Sequence, residues 1–105
     1  MEKRLLESIP CEGLNNGTHI DVEVTYNKGG RNYLSGGITP RGYYLRVTPV
    51  KRENGLVSFN LFSGSSQLLM EASRYSAKQF ERAVEMGRAA APELVNHVKE
   101  KETAA

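Results

Sequence analysis

The chain has one cysteine, Cys11, two histidines, His19 and His97, and no tryptophan. A lone thiol closes no internal disulfide and builds no Cys-based zinc cage, which fits a reducing compartment. The histidines stand far apart, with no H-x-H or H-x-x-x-H pair, so no metal ligand cluster arises and no metal or other cofactor is expected. There is also no G-x-S-x-G elbow and no cysteine flanked as a nucleophile, so a catalytic triad is missing. His19 reads as a solvent-facing strand residue and His97 as a helix-surface residue. Long apolar runs are absent too: none approaches the roughly 18 residues that cross a bilayer, and the opening Met1-Glu2-Lys3-Arg4-Leu5-Leu6-Glu7 puts acids where a secretion signal needs an apolar stretch. The expectation is a cytoplasmic protein with no membrane contact.

Acids are missing altogether from one long stretch. Between Val24 and Arg52 stand Lys28, Arg31, Arg41, Arg46, Lys51 and Arg52 with no Asp or Glu, so this segment carries +6 while the remainder carries −4. Such an asymmetry points to an anionic partner. Tyr26, Tyr33, Tyr43 and Tyr44, four of the five tyrosines, share the same stretch.

At 105 residues, with 39% hydrophobic and 25% charged residues, the chain is the size and composition of a single folded domain. Leu5, Leu6 and Ile9 in a charged context, stopped by Pro10, predict an N-terminal arm or short helix within residues 1–18. The stretch from Gly13 to Thr18 reads as a turn. From His19 to Tyr26, Ile20, Val22, Val24 and Tyr26 alternate with His19, Asp21, Glu23 and Thr25, which predicts a strand with one core face and one solvated face. Residues 27–42 hold five glycines and a proline and read as a loop or hairpin arm, with a short strand around Arg31 to Leu34.

Tyr43–Val50 and Leu56–Phe62 are β-rich runs joined through Asn54-Gly55, the pair best suited to a type I′ hairpin. That turn pairs Val50 with Phe59, Thr48 with Leu61 and Val47 with Phe62. It sorts Tyr44, Arg46, Thr48, Val50, Val57, Phe59 and Leu61 to one side and Tyr43, Leu45, Val47 and Phe62 to the other. Both sides are substantially apolar, so a second face is expected to need covering. Pro49 lacks an amide donor and marks a free strand edge. A last strand is expected over Leu68–Ala72. Ser76 with Gln79 forms a capping box that starts a helix at Ala77. Its core stripe is Phe80, Ala83, Val84, Gly87, Ala90 and Ala91. Pro92 should kink or restart it, with Leu94, Val95 and Val98 buried beyond, and helical structure ending near Lys101.

The sequence therefore predicts a single α+β domain: residues 19–72 an antiparallel β-meander of four or five strands, residues 76–101 a C-terminal helix packed on one face. Asp21 and Glu23 read as strand solvation, and Glu81, Glu85 and Arg88 as helix-surface pairing. The glycine-rich segment matches neither phosphate-binding loop pattern. These observations favour a non-catalytic binding module over an enzyme. Single-strand binders combine a positive groove with aromatic rings on which bases stack, so the expected nucleic-acid contacts are Lys28, Arg31, Arg41, Arg46, Lys51 and Arg52 with Tyr33 and Tyr44. Short strands followed by one long helix are also similar in order to small single-strand-binding transcriptional cofactors that dimerise, although no motif is shared. The rival expectation is a protein-interaction or regulatory accessory domain that self-associates, as a homodimer, through the second apolar face.

Overall fold

The computed structural model describes residues 3–11, 13–14, 17–31, 36–53, 56–59 and 64–103. Asn54-Gly55, Tyr33, Leu61 and Phe62 lie outside the described residues. Among the described residues, seven strands and one helix follow in order: β1 (Lys3–Pro10), β2 (His19–Asn27), β3 (Gly30–Arg31), β4 (Ile38–Thr39), β5 (Gly42–Glu53), β6 (Leu56–Phe59), β7 (Ser65–Glu71) and α1 (Ala77–Thr103). The main sheet is antiparallel in the order β1-β2-β5, with β6 and β7 both pairing the far side of β5, and β3-β4 forms a separate two-stranded arm. This is the α+β architecture that the sequence predicts.

The alternation in β2 decides which face is buried. Ile20, Val22 and Val24 lie opposite Pro49, Val47 and Leu45, with Tyr26 opposite Tyr43, and these side chains form the floor on which α1 rests. From the helix, Phe80, Ala83, Val84, Val95 and Val98 close the core. Gly87 lets the two layers approach: a Cβ there would stand 2.7 Å from Val24 Cγ2, so any side chain would push helix and strand apart.

The N-terminal segment corrects the expectation of an arm or short helix. Lys3–Pro10 is a strand paired with β2 from Lys3↔Thr25 to Pro10↔His19, with a bulge between Leu5 and Glu7. The extra bulge residue explains the misleading pattern, because it replaces the period of two with a helix-like spacing of apolar positions.

The hairpin register holds from Val50↔Phe59 to Glu53↔Leu56. Beyond it the expected pairing of Val47 with Phe62 gives way: Val47 pairs with Ser65, at the head of a β7 that starts earlier than Leu68. Pro49 explains where the ladder changes hands. Thr18 N–H donates to Val50 O at 2.9 Å, so the polar backbone of Val50 faces β2 and that of Pro49 faces the opposite side. There neither β6 nor β7 pairs with β5, and the missing donor costs nothing.

The helix also runs differently from expectation. It continues through Pro92 as one element to Thr103 rather than restarting, with Val95 and Val98 buried beyond the proline, so packing outweighs the local penalty of about 3 kcal/mol. At its start Gln79 N–H donates to Ser76 Oγ at 3.4 Å. The reciprocal half of the capping box is replaced: Ser76 N–H donates to the Tyr43 hydroxyl at 2.9 Å, and that hydroxyl donates to Ser76 O at 3.2 Å. Tyr43 is fully buried, and its ring meets Tyr26, Tyr75 and Phe80 at centroid distances of 5.0, 6.3 and 6.0 Å.

Replacing Tyr43 with Phe keeps every ring contact while leaving the Ser76 amide without its acceptor. The expected result is a loss of about 1–2 kcal/mol, read by chemical denaturation, with the chain still folded.

Candidate nucleic-acid interface

The face of the sheet turned away from α1 carries Asp21 and Glu23 of β2 beside Thr48 and Arg46 of β5, in the pairs Asp21↔Thr48 and Glu23↔Arg46. Both acids were expected in solvent, yet each is only 7% exposed. Cations from neighbouring strands bring them in. Arg52 Nη2 lies 2.5 Å from Asp21 Oδ2, and Lys3 Nζ lies 3.2 Å from Glu23 Oε2. Asp21 Oδ1, Arg52 Nε and Ser8 Oγ are buried without a hydrogen-bond partner, and Ser8 stands cross-strand from Asp21. Around Asp21 and Glu23 this second face is therefore polar and charge-paired; the expectation that it is apolar rests largely on Val57, Phe59 and Leu61, whose side chains lie outside the described residues.

The described members of the expected nucleic-acid contact set do not form one surface; Tyr33 and the Arg31 side chain lie outside the described residues. Arg52 is held by Asp21, and Arg46 projects beside Glu23. Lys51 is exposed at the same far end of β5 as Arg52. Tyr44 is half-buried with its hydroxyl donating to Pro40 O at 2.7 Å, and burial, with Glu71 nearby, raises its pKa above the ordinary phenol value. β5 runs 12 residues from Gly42 to Glu53, about 36 Å at strand rise, so Lys51 and Arg52 stand a sheet-length from the arm. Tyr26 and Tyr43 belong to the interior aromatic cluster rather than to a stacking platform.

At the other end of β5 a different set converges. Asn27 Oδ1 accepts from Gly29 N–H at 2.7 Å, and Gly29 takes φ 72, turning β2 into the β3-β4 arm. Arg41, just after the arm, donates from Nε to Lys28 O at 2.9 Å and from Nη1 to Ser73 O at 3.2 Å. Its guanidinium thus staples the base of the arm, which bears Lys28 and Arg31, to the turn that precedes α1. On that turn and the first turns of the helix, Arg74, Tyr75, Lys78 and Arg82 line an open depression of about 500 Å³ with Ser76 and Gln79. Tyr75 packs edge-on against Tyr26 at 5.7 Å and against Phe80 at 5.8 Å, yet stays 41% exposed.

These cations are left unneutralised by a device on the neighbouring strand. Glu81, between Lys78 and Arg82, is claimed by Arg4 of β1, whose guanidinium makes two hydrogen bonds to it, one of 2.9 Å from Nη1 to Oε2, while lying 5.4 Å over the Phe80 ring. The Arg4 hydrogen bond holds the Glu81 carboxyl below the usual carboxylate range. The expected pairing among Glu81, Glu85 and Arg88 is accordingly replaced by a strand-to-helix pair. Arg74, Lys78 and Arg82 form no ion pair among the described residues.

Comparison of the chain with protein-family models, with curated proteins and with solved structures finds no match. Among the described residues no three His, Cys, Asp or Glu side chains cluster as metal ligands, and no helix is long and apolar enough to cross a membrane. Reasoning from sequence passed over Arg74, Tyr75, Lys78 and Arg82 because they lie outside the acid-free stretch. Their spacing of four, continued back from the helix onto its lead-in turn, was the available signal.

Arg52 is expected to matter for stability rather than for ligand. Removing Arg52 leaves the buried Asp21 carboxylate without its cation, so an Arg52→Ala substitution should clearly lower the unfolding midpoint. The control Arg46→Ala should change stability by less than about 0.5 kcal/mol, both measured by urea unfolding.

Proposed function

We propose that the protein is a non-catalytic module that binds single-stranded nucleic acid at the end of the sheet where arm, turn and helix start meet. The observation that carries this reading is Tyr75, an exposed ring anchored from behind by the aromatic cluster and flanked by Arg74, Lys78 and Arg82. A base stacked on a fixed ring, with its phosphates against cations that have no acid to desolvate, is the general solution for single-strand binding. Lys28 and Arg41 of the sequence-predicted set stand beside it at the base of the arm. Arg46, Lys51 and Arg52 drop out of it. The module is read as cytoplasmic.

Fluorescence anisotropy with short labelled oligonucleotides tests this. Binding should favour single over double strands and weaken with salt by a log-log slope of roughly −2 to −4, about −0.7 per phosphate neutralised. Arg74→Ser with Lys78→Ser should lower affinity and flatten that slope. Tyr75→Leu, which keeps an apolar cover on Phe80, should weaken binding by about 1–3 kcal/mol while Arg46→Gln leaves it unchanged. No binding at low salt overturns the reading.

A second reading, self-association as a homodimer, is favoured by the sheet edges. The β1 edge is blunted by Lys3, Pro10 and its bulge, devices that discourage strand pairing. β7 has neither Lys nor Pro and leaves Leu68 37% exposed. If two β7 edges pair, sedimentation at rising concentration shows a dimer that Leu68→Lys abolishes; a monomer throughout rejects it.

A further inference from the structure

A cavity of about 350 Å³ lies between β1 and α1, at the side of the molecule away from the arm. Two local irregularities from two different elements converge on it. The β1 bulge between Leu5 and Glu7 turns both Leu6 and Glu7 onto its wall. Across from them, Pro92 sits inside the helix and lines the cavity together with Arg88. Because proline has no N–H, the Arg88 carbonyl four residues earlier lacks its helical donor. Each irregularity weakens its own element, and bulges and broken helical ladders concentrate where a fold holds something else.

The wall has two kinds of surface. Leu6, Ile9, Val22, Ala91 and Val95 make it apolar, and Glu7, Arg88 and Asn96 supply polar groups. Glu7 and Arg88 form no ion pair, with each other or with any other described residue, so opposite charges are available on one cavity. We infer that this cavity binds a small zwitterion with an apolar side chain, the chemistry of an apolar α-amino acid. The Arg88 guanidinium and Asn96 amide are the donors for its carboxylate. Glu7 and the Arg88 carbonyl are the acceptors for its ammonium, and the aliphatic wall receives the side chain. The volume is at the lower end of ligand pockets and suits a molecule of about a dozen heavy atoms. Nothing in this inference depends on nucleic-acid binding.

The experiment is a titration of the ¹⁵N-labelled full chain with L-phenylalanine and L-leucine, followed by amide chemical shifts to about 10 mM, above the low-millimolar dissociation constant expected for so small a ligand. Saturable shifts should map to Leu6, Glu7, Ile9, Ala91 and Val95. N-acetyl-phenylalanine and phenylalanine amide, each lacking one charge, should bind about tenfold more weakly. Arg88→Gln and Glu7→Gln, both exposed positions, should each weaken the zwitterion about tenfold without moving shifts elsewhere. Pro92→Ala returns a donor to the Arg88 carbonyl, so it should raise the melting temperature and weaken binding together. Absence of saturable shifts, shifts that map elsewhere, or equal affinity for the zwitterion and its two capped forms overturns the assignment.

Discussion

The Tyr43 hydroxyl is the contact on which the rest of the structure depends. It lies in the middle of the sheet and takes both backbone groups of Ser76, the residue that caps α1. A buried hydroxyl without partners would cost several kcal/mol. This one is satisfied only if the helix begins at Ser76 and sits at one height over β5. Once that end is fixed, Phe80 falls under the Arg4 guanidinium, Gly87 falls over Val24, and the C-terminal half lies along β1. The exposed ring of Tyr75 owes its position to the same anchor, since the residue before the cap has little freedom left.

What could be read from the sequence was whatever depended on neighbours along the chain. Strand β2 has strict alternation, the register expected from the sequence pairs Val50 with Phe59 as found, and Ser76 marked the start of the helix. What could not be read depended on partners far away. Leu5, Leu6 and Ile9 look helical because a bulge added one residue to a strand, and a bulge is invisible until its partner strand is known. Asp21 and Glu23 look solvated because alternation normally means that. Their burial is the work of Arg52 and Lys3, from strands that are distant in sequence or badly read. Pro92 looked like a helix break because the penalty for proline is local, whereas the burial of Val95 and Val98 that overrides it is tertiary.

The same distinction explains why counting charge along the sequence does not locate the cations that stay free of ion pairs. Counting bases between Val24 and Arg52 treats every base as free. Folding spends Arg52 on a carboxylate and Arg41 on two carbonyls, and sets Arg46 beside Glu23. Among the cations without an ion pair, Arg74, Lys78 and Arg82 come from the part of the sequence with net negative charge. Glu81, the acid between Lys78 and Arg82, is held by Arg4 from another strand. A local field is set by which charges remain uncompensated after pairing, not by their total along a segment.

Helix α1 covers one face of the sheet and, on the other, Arg52 and Lys3 pair the two buried acids. Binding over those pairs would first have to break contacts the fold has already made. Unspent interaction capacity is left where regular structure stops: at the β5 end where the arm and helix cap meet, and along the flank where a bulge and a proline disturb the β1 and α1 ladders. At the first of these the surplus is positive charge beside one exposed aromatic ring. At the second it is a pair of opposite charges over an aliphatic wall, so the two places call for ligands of different size and different chemistry.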